Sequence, residues 1–310
     1  MKFSPLFWPV ELKGNTIYIL DETKLPQRLA YIKARNYKEA CKAIKDMKTR
    51  AVGQVLLVMY IFLQLLKNKG TKDIFKVVLA INNTRPTLSF KYLTDMVLGW
   101  HKRGESLEEN ILKFLQGLKY SRIKQAEEAV KLLKNKETVL THCNISGLMP
   151  LIGSIALKQG KALKFFATET RPYLQGSRLT AWELKKSGFD VTLITDNMVA
   201  YVMQKGLIDI VIVGADHLAL NGDIANKIGT YQIAVAARHF KIPFYVICPP
   251  PSGAKSGSDI KIEVRPDKEM LEYRGLRLAP KGAKGYYPAF DITPNRLITK
   301  HIHLKISGSF

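Results

Sequence analysis

Only three cysteines occur in the 310 residues, Cys41, Cys143 and Cys248, and no two share a CxxC or metal-ligand spacing. That argues against a disulfide framework, leaves no metal site to assign, and fits a reducing, cytoplasmic compartment. The start, MKFSPLFWPVELKG, lacks both a continuous apolar h-region and a small-residue cleavage site, so no secretory leader is expected. The most apolar run, AVGQVLLVMYIFLQLL (51–66), is short for a bilayer and carries Gln54 and Gln64; it reads as a buried helix and no membrane association is expected. No GxGxxG follows a strand-like run, which disfavours a dinucleotide cofactor, and no GxxxxGKS or GxxxxGKT excludes a P-loop by pattern. No cofactor is expected. Acidic residues are the scarcer charge, 26 against 48 basic, for a formal net charge of +22. The lysines are nonetheless scattered at helix-surface spacing (Lys42, Lys45, Lys48; Lys131, Lys134, Lys136), with no arginine-rich block and no interleaved aromatics. The reading is a solvated lysine-rich surface rather than a nucleic-acid interface, with a field that would still help a phosphorylated ligand.

What is present divides into two patterns. Residues 9–20, PVELKGNTIYIL, read as two short strands about the Gly14-Asn15 hairpin signal. Residues 21–26 read as a loop, and helical periodicity follows at 27–47, 51–68, 71–80 and 107–135, the last with Leu112, Leu115 and Leu118 as its apolar side. INNTRPTLSFKYL (81–93) interrupts the helices. From about residue 131 the pattern changes. Apolar runs of strand length (138–143, 163–168, 190–195, 208–216, 242–248) alternate with amphipathic helices, several ending at a glycine (Gly160, Gly188, Gly206). Strands without polar alternation are buried on both faces, as in a parallel sheet. The expectation is a mainly helical domain with a β-hairpin over 1–130 and a doubly wound, mainly parallel, Rossmann-like α/β domain over 131–310.

In such sheets ligands bind beyond the carboxyl ends of the strands. There the sequence places His142 and Cys143, then Arg171 and Gln175, then Asp196, then Asp216, His217, Asp223, Asn226 and Lys227, and finally the loop PPPSGAKSGSD (249–259), expected to be mobile. By position alone Cys143 is either a reactive thiol near a helix start or an inert buried one. Asp216 is either a general acid kept protonated by apolar burial or a capping acid. Lys227, placed on the helix after that loop, either reaches a phosphate or lies exposed. Arg171 is a phosphate clamp or a loop ion pair. His142 and His217 have no third ligand and read as structural.

Longer blocks say more. FW…LDETKLP (7–26), NTRPT (83–87), THCN (141–144), ETRPYLQGSRLTAWEL (169–184), VGADHLALNGDIANKIGTY (213–231) and YPAFDITP (287–294) together resemble the methylthioribose-1-phosphate isomerase family nearly end to end. Its superfamily includes ribose-1,5-bisphosphate isomerase and regulatory subunits of translation initiation factor two-B. The resemblance implies an aldose–ketose isomerase of methionine salvage, a small phosphorylated sugar as substrate, and a homodimer. It implies Asp216 as the acid at the ring oxygen and Cys143 as its partner at C1 and C2. It implies contacts to phosphate and sugar from Arg50, Ala51, Arg85, Gln175, Asn226 and Lys227. The family's RGAPAIG stretch is shortened here to RAVGQ (50–54). A related pentose phosphate (ribose 1,5-bisphosphate or 5-deoxyribose 1-phosphate) and a non-catalytic subunit remain open alternatives.

Overall fold

In a computed structural model of the chain, residues 3–85, 90–273 and 275–304 are described. Pro86 and Thr87 of the NTRPT block lie outside them. The chain divides into two compact units, one ending at Arg122 and the other beginning at Ile123.

The first unit opens with an antiparallel sheet of β1 (Val10–Lys13), β2 (Thr16–Leu20) and β3 (Tyr31–Ala34), in that order. The hairpin forms as its Gly-Asn turn predicts, with Gly14 at φ +59. β3 falls where helix was expected from residue 27. It pairs with β2 from Ile17 opposite Ala34 to Leu20 opposite Tyr31. Its burial alternates along the strand, so long-range pairing overrides local propensity. The helix begins only at α1 (Tyr37–Lys45), where Asn36 caps it: Asn36 Oδ1 accepts from the Glu39 amide at 3.1 Å. Then come α2 (Val52–Lys69), α3 (Ile74–Asn82), α4 (Lys91–Lys102) and α5 (Leu107–Lys131), the last of which continues past Arg122 into the second unit. The two glutamines of the apolar run are explained. Buried Gln64 donates to Asn15 O and Ala34 O, tying α2 to the sheet, and Gln54 donates to Thr49 O. On α5, Leu115 and Leu118 are buried, but Leu112 faces out at 50% exposure. No described helix is long and apolar enough to cross a membrane.

The second unit is built on six parallel strands: β4 (Thr138–Thr141), β5 (Lys164–Thr168), β6 (Val191–Ile194), β7 (Ile210–Gly214), β10 (Phe244–Cys248) and β16 (Lys300–His303). The two-residue β8 (His217–Leu218) and β9 (Ile224–Lys227) lie between β7 and β10 in sequence. The helices are α6 (Leu148–Lys158), α7 (Ala181–Lys186), α8 (Val199–Gln204), α9 (Thr230–His239) and the single-turn α10 (Lys268–Leu271). Between β10 and β16 come β11 (Val264–Arg265), β12 (Glu272–Tyr273), β13 (Leu276–Arg277), β14 (Tyr287–Pro288) and β15 (Phe290–Thr293). The parallel sheet runs β6-β5-β4-β7-β10-β16. Numbered in chain order that is 3-2-1-4-5-6, the doubly wound arrangement, and the winding reverses between β4 and β7. Five strands lie where the apolar runs are. The sixth, KHIH, carries no apolar run and was not anticipated; it pairs with β10 at the sheet's edge.

One correction bears on the site. Lys227 was expected on a helix, but IANK is the strand β9, buried throughout and paired with both β8 and β15. The helix cannot start earlier because Gly229, at φ +104, turns the chain first. A β-carbon there would lie 3.1 Å from the His142 ring. The 249–259 loop, expected to be mobile, is tied down: Ser252 N donates to Leu218 O and Gly257 N to Asp223 Oδ2.

Candidate active site

The winding reversal puts the carboxyl ends of β4 and β7 side by side, with Leu140 opposite Val211. Cys143 follows β4 by two residues and Asp216 follows β7 by two. The thiol and the carboxylic acid singled out from the sequence therefore leave neighbouring strands at the point where such sheets open a crevice.

Cys143 is buried and sits at φ +63, in the left-handed region. Ser146, Thr170 and Leu174, in the loops after β4 and β5, share that region. Four of the eight left-handed non-glycine residues among those described therefore fall in these two loops, a local accumulation of backbone strain. Cys143 does not lie on the first turn of a helix, since α6 starts at Leu148 behind Gly147. His142 is fully buried and engaged on both nitrogens, with Thr168 Oγ1 at 2.6 Å from Nδ1 and Ile228 O at 2.9 Å from Nε2. Burial lowers its pKa, against the pull of Asp196 3.9 Å away, so the ring is neutral and donates from Nε2. His142 is a strut, as read from the sequence.

Asp216 differs from expectation in its surroundings. It is exposed, so the apolar run of β7 ends before reaching it. Its amide donates to Ala225 O, which joins it to the β8–β9 hairpin. That hairpin also carries Asn226 and Lys227, both buried. Asn226 Nδ2 donates to Thr230 Oγ1 at 2.9 Å. Lys227 Nζ lies 3.5 Å from the Tyr287 hydroxyl and 4.6 Å over the Phe290 ring. Burial raises the Tyr287 hydroxyl far above the usual phenol range; Glu269 adds to this, Arg265 opposes it, and the Cys143 thiol contributes further. Tyr287 is thus in electrostatic reach of both the candidate thiol and the candidate phosphate-binding lysine. Tyr287 opens the YPAFDITP block but carries no signal in the sequence that separates it from a core aromatic.

Gln175 is buried, and its Oε1 has no hydrogen-bond partner among the described residues. A buried amide oxygen left unpaired is costly and suits a ligand hydroxyl. Arg171 is not poised as a clamp: its guanidinium donates to Pro172 O and Met270 O, both at 3.0 Å. Asp196 accepts from the Thr170 and Arg171 amides. Asp223 is structural. Burial would raise its pKa, but hydrogen bonds from Asn295 N, Asn221 Nδ2 and Gly257 N bring it below the usual carboxylate range. Another residue the sequence did not single out is Asp291, which accepts from Gly229 N at 2.7 Å and Tyr231 N at 3.1 Å where α9 begins. Burial outweighs those bonds and lifts its pKa to about 6. It borders a cavity of about 510 Å³ lined also by Arg171, Tyr286 and Tyr287. Among the described residues no group of three or more His, Cys, Asp or Glu is placed to hold a metal ion.

The other three candidates lie in the first unit, at the amino end of α2. Arg50 precedes the helix, and Ala51, at φ +43, is its N-cap. Glu22, from the LDETKLP block and 3% exposed, fixes Arg50: it accepts from Arg50 N at 3.0 Å, Arg50 Nε at 3.1 Å and Thr49 Oγ1 at 2.7 Å. Arg85 Nη1 reaches Gln54 Oε1, on the first turn, at 3.3 Å. The Arg50 guanidinium is thus held by a buried carboxylate, while the Arg85 guanidinium lies at the first turn of α2, whose amino end favours an anion. Gly53 permits the turn, because a β-carbon there would fall 1.9 Å from Thr49 Oγ1.

Residues 56–303 match the model of the initiation factor 2 subunit family. Methylthioribose-1-phosphate isomerase of Thermosipho africanus is 42% identical, over 94% of this chain and 91% of its own length. The protein of the same name from Fervidobacterium nodosum is 38% identical with the same coverage. Among solved structures, 5-methylthioribose 1-phosphate isomerase from Pyrococcus horikoshii superposes with a TM-score of 0.83 at 32% identity, covering 95% of this chain and 90% of that one. Translation initiation factor eIF-2B, subunit delta, from A. fulgidus gives 0.84 at 34% identity, covering 96% and 94%.

Proposed function

The chain belongs to the initiation factor 2 subunit family, and we infer that it is one of its isomerases, converting 5-methylthioribose 1-phosphate to 5-methylthioribulose 1-phosphate. Relatives of that name are 38–42% identical over about 94% of the chain. The observation that carries the chemistry is the placement of Cys143 and Asp216 beyond the carboxyl ends of β4 and β7, on either side of the winding reversal.

A sugar phosphorylated at C1 has no free anomeric hydroxyl, so its ring does not open spontaneously. Opening breaks the C1–O4 bond and places a proton on O4, the role we assign to Asp216. The C2–H electron pair then goes to C1, either with its hydrogen or as a C1=C2 enol that takes the same proton back at C1, the C2 hydroxyl loses its proton to the base left by the acid, and the product is an isomer of the substrate. Cys143 is assigned to C1 and C2. Lys227 is assigned to the phosphate, Asn226 and Gln175 to sugar hydroxyls, with Gln175 Oε1 as the acceptor awaiting a donor. Arg50, Ala51 and Arg85 are assigned to phosphate recognition, supported by the place of Arg50 and Ala51 just before α2 and by the bond of Arg85 to Gln54 on its first turn. The reading includes a homodimer in the cytoplasm, the first checked by light scattering.

The test is proton NMR of the protein with methylthioribose 1-phosphate, 5-deoxyribose 1-phosphate and ribose 1,5-bisphosphate side by side. The methylthio sugar should turn over fastest. The likeness to the delta subunit supports a second reading, a non-catalytic assembly subunit; turnover of none of the three sugars would favour it.

A further inference from the structure

Cys143 holds a backbone conformation that a side chain disfavours, and the loop after β4 does not enforce it alone. Both polar groups of the residue are gripped from elsewhere. Its amide donates to Thr170 Oγ1 at 2.9 Å, and its carbonyl accepts from Thr180 Oγ1 at 2.5 Å. Both threonines come from the segment after β5, and both are fully buried. With no water to substitute, each lost hydrogen bond leaves a buried peptide group unpaired.

The threonines are themselves held. Thr170 is left-handed at φ +64, and its amide donates to Asp196 Oδ1 at 2.8 Å. Thr180 closes a π-helical turn, Gly176–Thr180, before α7 begins. Its hydroxyl also accepts from Asn144 Nδ2 at 3.0 Å, and that amide donates to buried Glu183 at 2.7 Å. The π turn carries one residue more than an α turn would. Removing it would rotate the following residues by roughly 100° and swing the Thr180 hydroxyl off Cys143. Gly176 makes the close approach possible, because a β-carbon there would fall 1.6 Å from Thr168 O and 2.9 Å from Thr170 Oγ1. A wide turn, an invasive glycine and two buried hydroxyls all converge on one peptide.

We propose that Thr170 and Thr180 are positioning residues of the isomerase reaction, a two-hydroxyl clamp on the Cys143 backbone that fixes its left-handed turn and so the direction of its thiol. The inference rests on Cys143 being the group at C1 and C2. Neither threonine touches substrate in this account; they act through where the sulfur points, and a small misplacement of a reacting group is costly in rate.

The experiment measures kcat and KM for Thr170→Val, Thr180→Val, Thr170→Ser and Thr180→Ser, with Cys143→Ala in the same assay. Valine keeps the shape and removes the hydroxyl; serine keeps the hydroxyl. Each valine variant should lose about 10- to 100-fold in kcat with KM within about twofold. Each serine variant should stay within about threefold of wild type in kcat. A purely structural role would lower the melting temperature without this split. If the valine variants keep kcat, or serine is as poor as valine, the clamp is overturned. Should valine prevent folding, the serine variants decide alone, a tenfold loss in kcat counting against the clamp. If Cys143→Ala itself turns over normally, the reading of the thiol falls and the clamp with it. If Cys143→Ala is inactive while the valine variants are unaffected, only the clamp falls.

Discussion

The loops after β4 and β7 hold the two groups proposed to react, Cys143 and Asp216, in very different states. Cys143 is buried, with both sides of its peptide bonded and its neighbours His142 and Asn144 fully engaged. Asp216 is exposed, joined to the β8–β9 hairpin through its amide. If the proposed clamp holds, the thiol's direction is set within the α/β unit before any ligand arrives. The acid's dry surroundings are not, although proton delivery to a ring oxygen works best with water excluded. On this account the thiol is preorganised and the acid is completed by substrate.

The comparison is broken most severely at the thiol. Cys143→Ala should lower kcat by roughly 10³-fold and leave KM within a few fold, by steady-state kinetics. Asp216→Asn should cost roughly 10²- to 10³-fold in kcat and remove one limb of the pH–rate profile. If the acid is completed by substrate, that limb should differ between kcat and kcat/KM, because the two report the bound and free enzyme. Lys227→Met should act instead on binding, raising KM about 10- to 100-fold with the smaller change in kcat, the size of one charge-assisted hydrogen bond.

The smallest effect is on stability. The Asp291 pKa is raised by burial to about 6 from an ordinary 3.8. A raised folded-state pKa means that the protonated acid favours the folded state. Its contribution is full below about pH 4 and is lost as pH rises through 6. Between pH 4 and pH 7 wild type should therefore lose on the order of 2 kcal/mol relative to Asp291→Asn, read from urea midpoints. An unchanged difference across that range would place the carboxylate in an ordinary environment.

Much of this was legible in the chain. The unbroken apolar runs gave five of the six parallel strands, because burial on both faces leaves no polar alternation to confuse the reading. The edge strand KHIH was not legible, since half-exposed strands carry little pattern. β3 and β9 fall where a helix is expected: β3 pairs with β2 across residues 21–30, which carry no hairpin signal, and β9 pairs with the distant Phe290–Thr293 and with β8, which at two residues is too short to leave a strand pattern. Counting past strand ends places Cys143 and Asp216 on the same rim, while their proposed roles come from the family resemblance of THCN and VGAD. Asp216's exposure was not legible, because how far burial continues beyond a strand depends on packing. Tyr287, Thr170 and Thr180 lie inside the blocks YPAFDITP and ETRPYLQGSRLTAWEL, yet only the folded chain shows a hydroxyl 2.5 Å from the Cys143 carbonyl. Glu22 is similar: its block was noted, its grip on Arg50 was not.

The most direct test is proton NMR of methylthioribose 1-phosphate incubated with the wild-type chain, Cys143→Ala and Asp216→Asn at equal concentration. The account predicts conversion of the aldose phosphate to the ketose phosphate by wild type and none on the same timescale by either variant. Equal conversion by all three would contradict it.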